Sequence, residues 1–126
     1  MANEYTVKNF KLELEIGTNR TLIATWNWNK VDGEPLDHYA VTWMYDTGNG
    51  IYLKESSKNV ENKQDTFNVP NNAIKAKVSV KPIGKDKTDS SGKKNGKYLS
   101  NAKAVTSSVY NFRNKVTFKP TELSSI

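Results

Sequence analysis

The sequence predicts an all-β domain, either a sandwich or a barrel. Short runs in which apolar and polar residues alternate recur about every dozen residues, with turn-forming residues between them. No segment shows the i, i+3, i+4, i+7 spacing of apolar residues that marks an amphipathic helix. The chain has 126 residues, which is enough for one domain with its own core and some additional chain.

Three strands are predicted in the first part of the chain. In each strand the apolar residues occupy every second position and therefore share one face. These faces are formed by Phe10, Leu12, Leu14 and Ile16 in residues 7–16, by Leu22, Ala24 and Trp26 in the second strand, and by Tyr39, Val41, Trp43 and Tyr45 in residues 36–45. The turn residues 17–19 indicate that the first two strands form a hairpin.

The second part of the chain continues the same pattern with short strands at residues 51–54 and 66–69. In the strand that follows, buried positions alternate with a basic outer face made of Lys75, Lys77, Ser79 and Lys81. We expect Pro82 to end this strand, because proline cannot donate to a ladder. Residues 83–99 are rich in Gly, Lys, Asp and Ser and predict a long flexible loop or an extended hairpin tip. Residues 102–107 predict a last strand.

The strand pattern is complete by Ser108, so the sequence predicts a sandwich over residues 1–108 and an extension over residues 109–126. The extension is too rich in apolar side chains for a disordered tail. Its candidate partner-binding residues are Tyr110, Phe112, Val116 and Phe118. One interpretation is an edge strand that pairs with another subunit, and the other is a segment that folds back over its own domain.

Three segments carry a resemblance to a known family. "LIATW" and "LDHYAVTW" resemble strands B and C of fibronectin type III domains, and "TFNVPNNAIKAKVSVKPIG" looks like strand E, its bend and strand F. The resemblance implies an immunoglobulin-like, seven-stranded β-sandwich with a binding or spacing role. The corner tyrosine that the family carries in strand F would fall near Lys75 or Ala76, so its hydrogen bond must be replaced or absent.

The chain offers little for catalysis. It has no cysteine and one histidine, His38, so neither a metal site nor a nucleophilic triad can be assembled from the usual ligands. Asp32, Glu34 and Asp37 are interpreted as a solvated turn, because their spacing differs from that of a calcium loop. We therefore expect no enzymatic activity, no metal and no cofactor. No apolar run reaches the roughly 18 residues of a membrane span, and residues 1–8 do not suggest a secretion signal.

The formal net charge of +6 raises the possibility of an anionic partner. A basic loop is formed by Lys85, Lys87, Lys93, Lys94 and Lys97. With Tyr98 it could contact phosphates and stack a base, but Asp86 and Asp89 interrupt the charge and favour a solvated loop. Trp28 could stack a sugar together with Tyr52, although packing in the core or at its rim is the favoured interpretation of Trp28.

The sequence favours a non-enzymatic structural module of a bacteriophage virion, made in the host cytoplasm. Its bias toward Lys and Asn is similar to that of fibronectin type III modules in phage virion proteins. The expected partners are other virion or surface proteins, or further copies of the chain, and neither nucleic acid nor a membrane is the expected partner. One alternative is a carbohydrate- or surface-binding module of a bacterial extracellular protein. Another is a small basic protein associated with nucleic acid.

Overall fold

The computed structural model describes residues 5–112, and no α-helix occurs in this range. The regular elements are strands β1 (Lys8–Leu14), β2 (Thr21–Asn27), β3 (Leu36–Asp46), β4 (Tyr52–Lys54), β5 (Lys58–Val60), β6 (Gln64–Asn68), β7 (Lys75–Gly84), β8 (Asp86–Thr88), β9 (Lys94–Lys97), β10 (Val105–Thr106) and β11 (Tyr110–Asn111). The predicted all-β class is confirmed.

The strands form antiparallel sheets. A small sheet has the order β1-β2-β6, and a large sheet has the order β10-β7-β3-β4, with β5 also paired to β3 and β11 also paired to β7. Strands β8 and β9 form a separate two-stranded ribbon. The predicted hairpin of the first two strands is confirmed by the register of β1 and β2, in which Leu12 lies opposite Ala24.

The apolar faces of the small and large sheets meet in one core, an arrangement consistent with a β-sandwich. Trp26 of β2 packs edge-on against Tyr39 of β3, with ring centroids 5.4 Å apart. Val41 and Val78 are fully buried beside them. All four side chains belong to the hydrophobic core between the sheets.

A second contact between the sheets combines an aromatic stack with a hydrogen bond. The ring of Trp43 on β3 stacks on Phe67 of β6, with centroids 5.3 Å apart. The indole N–H of Trp43 donates to the carboxylate of Asp65, at 2.8 Å. Asp65 also forms an ion pair with Lys58, with 2.6 Å between the ammonium nitrogen and a carboxylate oxygen. The buried indole nitrogen is thus satisfied across the two sheets.

The first strand is shorter than its pattern suggests. Ile16 was expected on the buried face, but 98% of it is exposed. The strand ends at Leu14, and the chain then turns through Gly17, which has a φ of +85°. The amide of Thr18 donates to the carbonyl of Glu15 inside this turn. Alternation of residue types therefore continued past the end of the ladder, and the prediction for Ile16 was wrong.

Pro82 does not end its strand, because β7 runs on to Gly84. Pro82 is fully buried and lies opposite Tyr39 of β3. On the other side of β7, β10 pairs only with Ser79 and Val80. Within residues 5–112, that side of β7 carries no strand at Pro82, and a residue without an N–H is tolerated at such an unpaired edge.

The segment that was expected to be a loop or a hairpin tip is a hairpin built from β8 and β9. At its base, the amide of Tyr98 donates to the carbonyl of Lys85, at 2.9 Å. Gly84 allows this closure, because a Cβ at that position would lie 2.1 Å from the carbonyl oxygen of Tyr98. The alternative of an extended hairpin is therefore confirmed.

The large sheet continues beyond Ser108. The expected last strand at residues 102–107 is limited to Val105–Thr106, and β11 then returns to β7 with Tyr110 opposite Ala76. The domain boundary after Ser108 stays a prediction, since the structure describes the chain only as far as Phe112.

The packing of Trp26 predicts a large effect of its truncation. The substitution Trp26→Ala should lower the free energy of unfolding by about 3 to 5 kcal/mol, because it empties the space between Phe10 and Tyr39. Chemical denaturation followed by circular dichroism measures this. Ile16→Ala is a control in an exposed turn and should change stability by less than about 0.5 kcal/mol. A loss under roughly 1 kcal/mol for Trp26→Ala would show that the two sheets do not depend on this indole.

Candidate binding cavity

A cavity of about 620 Å³ lies where β2 ends and β3 begins. Its volume is in the range of small-ligand sites. The residues that line it come from the connection between β2 and β3, from β3 itself, from the segment before β6 and from the start of the β8–β9 hairpin. They are Trp28, Lys30, Val31, Asp32, Gly33, Glu34, Pro35, Leu36, Tyr39, Glu61, Lys63 and Lys85.

One wall of the cavity is a tight turn. The amide of Glu34 donates to the carbonyl of Val31, at 3.0 Å, and Gly33 takes a φ of +76° that suits glycine. Next to this turn, the amide of Lys85 donates to the carbonyl of Pro35, also at 3.0 Å. The wall is therefore held by backbone hydrogen bonds.

Glu34 fixes this wall to two distant segments of the chain. Its carboxylate accepts hydrogen bonds from the backbone N–H of Leu99, at 2.8 Å, and from the hydroxyl of Tyr5, at 2.9 Å. The bond from Leu99, and after it the bond from Tyr5, hold the pKa of Glu34 below its usual range. Leu99 itself is buried.

The acidic cluster before β3 is thus not a uniform solvated turn. Asp32 is exposed as expected, and Asp37 is exposed and bonded to the ring of His38 at 2.7 Å. Glu34 does belong to the turn, but the expectation that it is solvated was wrong, because its carboxylate is bonded within the protein. Its two partners lie 29 and 65 residues away in sequence, and local pattern cannot reveal such partners.

The floor of the cavity is apolar and its rim carries both signs of charge. Trp28 is only 8% exposed, which confirms its packing against the core, and Leu36 also lines the cavity. The rim includes three lysines and two carboxylates other than Glu34, namely Lys30, Lys63, Lys85, Asp32 and Glu61. An apolar floor with a few polar groups above it is typical of binding sites.

Tyr52, which was considered as a stacking partner for Trp28, does not line this cavity. It pairs with Asp46 near the opposite end of β3. The ammonium of Lys77 lies over its ring, 4.1 Å from the centroid. The structure therefore does not bring Trp28 and Tyr52 together as one platform.

The basic loop residues lie on the β8–β9 hairpin and at its base. The carboxylate of Asp86 forms ion pairs with the ammonium groups of Lys97, at 2.9 Å, and Lys94, at 3.2 Å. These contacts keep the pKa of Asp86 below its usual range. Lys87 lies 5.3 Å from the ring centroid of Tyr98. Asp89 accepts hydrogen bonds from the backbone N–H groups of the tip residues 91 and 93. Part of the positive charge is thus balanced within the hairpin, while Lys85 faces the cavity.

Of the four residues expected to bind a partner, Tyr110 and Phe112 lie on the domain. Their rings are 5.0 Å apart, and Phe112 is only 8% exposed. The amide of Phe112 donates to the carbonyl of Ile74, at 2.8 Å. Up to Phe112, the extension therefore follows the alternative in which it folds back. Val116 and Phe118 lie outside the described residues.

Arg20 holds this corner of the domain, and sequence analysis missed it. Its guanidinium donates to the carbonyls of Pro70 and Ala73 in the bend before β7, the second at 2.6 Å. The ring of Phe112 covers the guanidinium, with 4.1 Å between Cζ and the ring centroid. These bonds tie down the bend near which the resemblance placed a missing tyrosine. A single arginine in a turn gives no pattern that could have predicted this.

Two further findings concern the described residues 5–112 only. No group of three or more His, Cys, Asp or Glu side chains in this range is arranged to hold a metal ion. No helix in the same range is long and apolar enough to cross a membrane.

The contacts of Glu34 predict a pH-dependent contribution to stability. A carboxyl whose pKa is lower in the folded state stabilises the fold above the unfolded value, about 4.5, and loses this effect as the pH falls through the folded value. The stability difference between the native chain and Glu34→Gln should therefore be largest near neutral pH and shrink on acidification. Urea denaturation at several pH values measures this difference. The exposed control Glu13→Gln should change stability by less than about 0.5 kcal/mol throughout. A Glu34→Gln difference that stays constant with pH would contradict the assignment.

Comparison with known proteins does not assign the chain to a family. No protein-family model matches the sequence, and no curated protein matches it at a significant level. Membership in the fibronectin type III family therefore stays a prediction from the sequence.

Proposed function

We propose that the chain is a non-enzymatic structural and binding module of the fibronectin type III kind, and that it assembles with other proteins of a bacteriophage virion. The arrangement of strands supports the first part. The segments that resemble strands B and E are β2 and β6, which pair in the small sheet. Those that resemble strands C and F are β3 and β7, which pair in the large sheet. The immunoglobulin-like fold divides its strands in the same way.

The observation that carries the assembly role is the edge formed by β4. Among the described strands, β4 pairs only with β3. Ile51 is 64% exposed and Leu53 is 48% exposed along this edge. An edge with free backbone groups and exposed apolar side chains is a template for pairing with another chain.

The anchoring of Phe112 supports an assembly role for the residues that follow it. Arg20 and Ile74 hold Phe112 on the domain, and residues 113–126 follow it in the sequence. They include the alternating Val116 and Phe118. The virion itself is proposed from the Lys and Asn bias of the sequence, which is similar to that of phage structural modules.

The position of β11 and Phe112 shows that a truncation that tests assembly should be made after residue 112 and not after residue 108. A chain of residues 1–112 keeps β11 and Phe112, so it should unfold at nearly the same temperature as the full chain but lose assembly. A chain of residues 1–108 lacks both and should be less stable, since it uncovers Arg20 and the end of β7. Light scattering at high concentration and incorporation into particles measure assembly, and thermal unfolding measures stability.

A substitution at the β4 edge provides a second, independent test of the assembly role. Leu53→Lys places a charge on the exposed edge and should weaken assembly of the full chain without lowering its stability. Lys11→Ala, on an exposed position of β1, is the control. If both the chain of residues 1–112 and Leu53→Lys assemble like the full native chain, the assembly role is wrong.

The cavity favours a second candidate function, the binding of a saccharide. It combines the indole of Trp28 with ammonium and carboxylate groups that can hydrogen-bond to hydroxyls. Titration with maltose, cellobiose and diacetylchitobiose should change the indole resonance of Trp28 in NMR spectra, and Lys63→Ala should weaken the change. Lys11→Ala again serves as the control. If none of these sugars shifts that resonance at millimolar concentration, this candidate fails.

A further inference from the structure

The outer side of the large sheet carries a group of lysines that the proposed function does not use. Lys75, Lys77 and Lys81 occupy alternate positions of β7, and the residues between them are buried in the core. Lys54 of β4 lies opposite Met44, and Met44 lies opposite Lys77 in the next pair. The register therefore brings four ammonium groups to one side of the sheet, which we call the basic face.

Little negative charge opposes this face. Of the acidic residues in paired positions of the large sheet, only Asp46 lies on the outer side, and it is 3% exposed. Its carboxylate accepts the backbone N–H groups of Gly48, at 2.8 Å, and Gly50, at 3.2 Å, and these bonds, the Gly48 bond foremost, hold its pKa low. Asp46 is thus held by its own loop at one end of the face, where it lies opposite Lys75 and offsets part of the charge of that lysine.

The lysines of the β8–β9 hairpin can be compared with those of the basic face by their ion pairs. On the hairpin, Asp86 forms ion pairs with Lys94 and Lys97. Among the ion pairs of the described residues, none involves the four lysines of the basic face. Among the described residues, Lys85, Lys87 and Lys93 of the hairpin and its base form no ion pair either, so they provide a control set of equal charge away from the sheet.

The shape of the basic face also limits what it can bind. The middle of the face consists of small side chains, with Ser79 lying opposite Thr42 on one side and Thr106 on the other. Tyr52 belongs to the face, but the ammonium of Lys77 covers its ring. A basic surface without an open aromatic ring can contact phosphates but does not provide a stacking platform for bases.

We propose that the basic face binds the phosphodiester backbone of single-stranded nucleic acid without reading its bases. From Lys75 to Lys81 the strand spans roughly 20 Å, given the rise of about 3.4 Å per residue. That length suits a site of about four nucleotides, the lower end of known single-strand sites. Lysines that replace condensed counterions make such binding strongly dependent on salt. This inference is independent of the assembly role.

The test compares two variants of the full chain that lose the same charge at different places. One is Lys54→Gln/Lys77→Gln/Lys81→Gln on the basic face, and the other is Lys85→Gln/Lys87→Gln/Lys93→Gln at the hairpin. Each removes three positive charges from the formal +6. Circular dichroism and thermal unfolding establish that both variants fold. The probes are fluorescent oligothymidylate of about 15 nucleotides and an abasic strand of equal length.

Fluorescence anisotropy between about 50 and 200 mM salt should give a log–log slope near −2.8 for four phosphate contacts. The basic-face variant should bind at least tenfold more weakly, and its slope should fall toward about −0.7, while the hairpin variant keeps most of the native slope. The abasic strand should bind as tightly as oligothymidylate. An equal loss in both variants, binding that requires the bases, or no salt-dependent binding by the native chain would each overturn the proposal.

Discussion

The fold depends on direct packing between two sheets that no disulfide can join, because the chain has no cysteine. Trp26 of the small sheet lies against Tyr39 of the large one, and the indole of Trp43 both stacks on Phe67 and donates to Asp65. These contacts combine burial of large aromatic surfaces with satisfaction of a buried N–H, so they provide both free energy and a defined orientation. The cavity and the contacts of Arg20 and Glu34 lie on elements that this core holds in place.

Two charged side chains fasten the chain at the opposite ends of β2. Before β2, Arg20 binds the carbonyls of the bend that leads into β7 and supports Phe112. After β2, Glu34 joins the wall of the cavity to Tyr5 and Leu99. The first contact positions Phe112 on the domain, and the second shapes the cavity before any ligand arrives. A preformed cavity lowers the ordering cost of binding.

Period-two alternation predicted β1, β2, β3 and β7 well, because each of them buries one face against the same core. Alternation failed where the end of a strand or the burial of a residue depended on partners distant in sequence. Ile16 kept the pattern after the ladder had ended, and Pro82 was accommodated because its outer side has no partner strand. The cavity, Arg20 and Glu34 are products of contacts between remote segments. The basic face was visible as alternating lysines, but the contribution of Lys54 and the position of Asp46 opposite Lys75 required the register of three strands.

Native-state amide hydrogen exchange tests most directly whether the two sheets depend on each other. If they do, the slowest amides of β2, β3 and β7 should share one opening free energy, equal to that of global unfolding, while the β8–β9 hairpin opens at a lower value. If the amides of β2 open well below those of β3 and β7, the small sheet detaches on its own. That result would contradict the claim that contacts between the sheets hold the domain together.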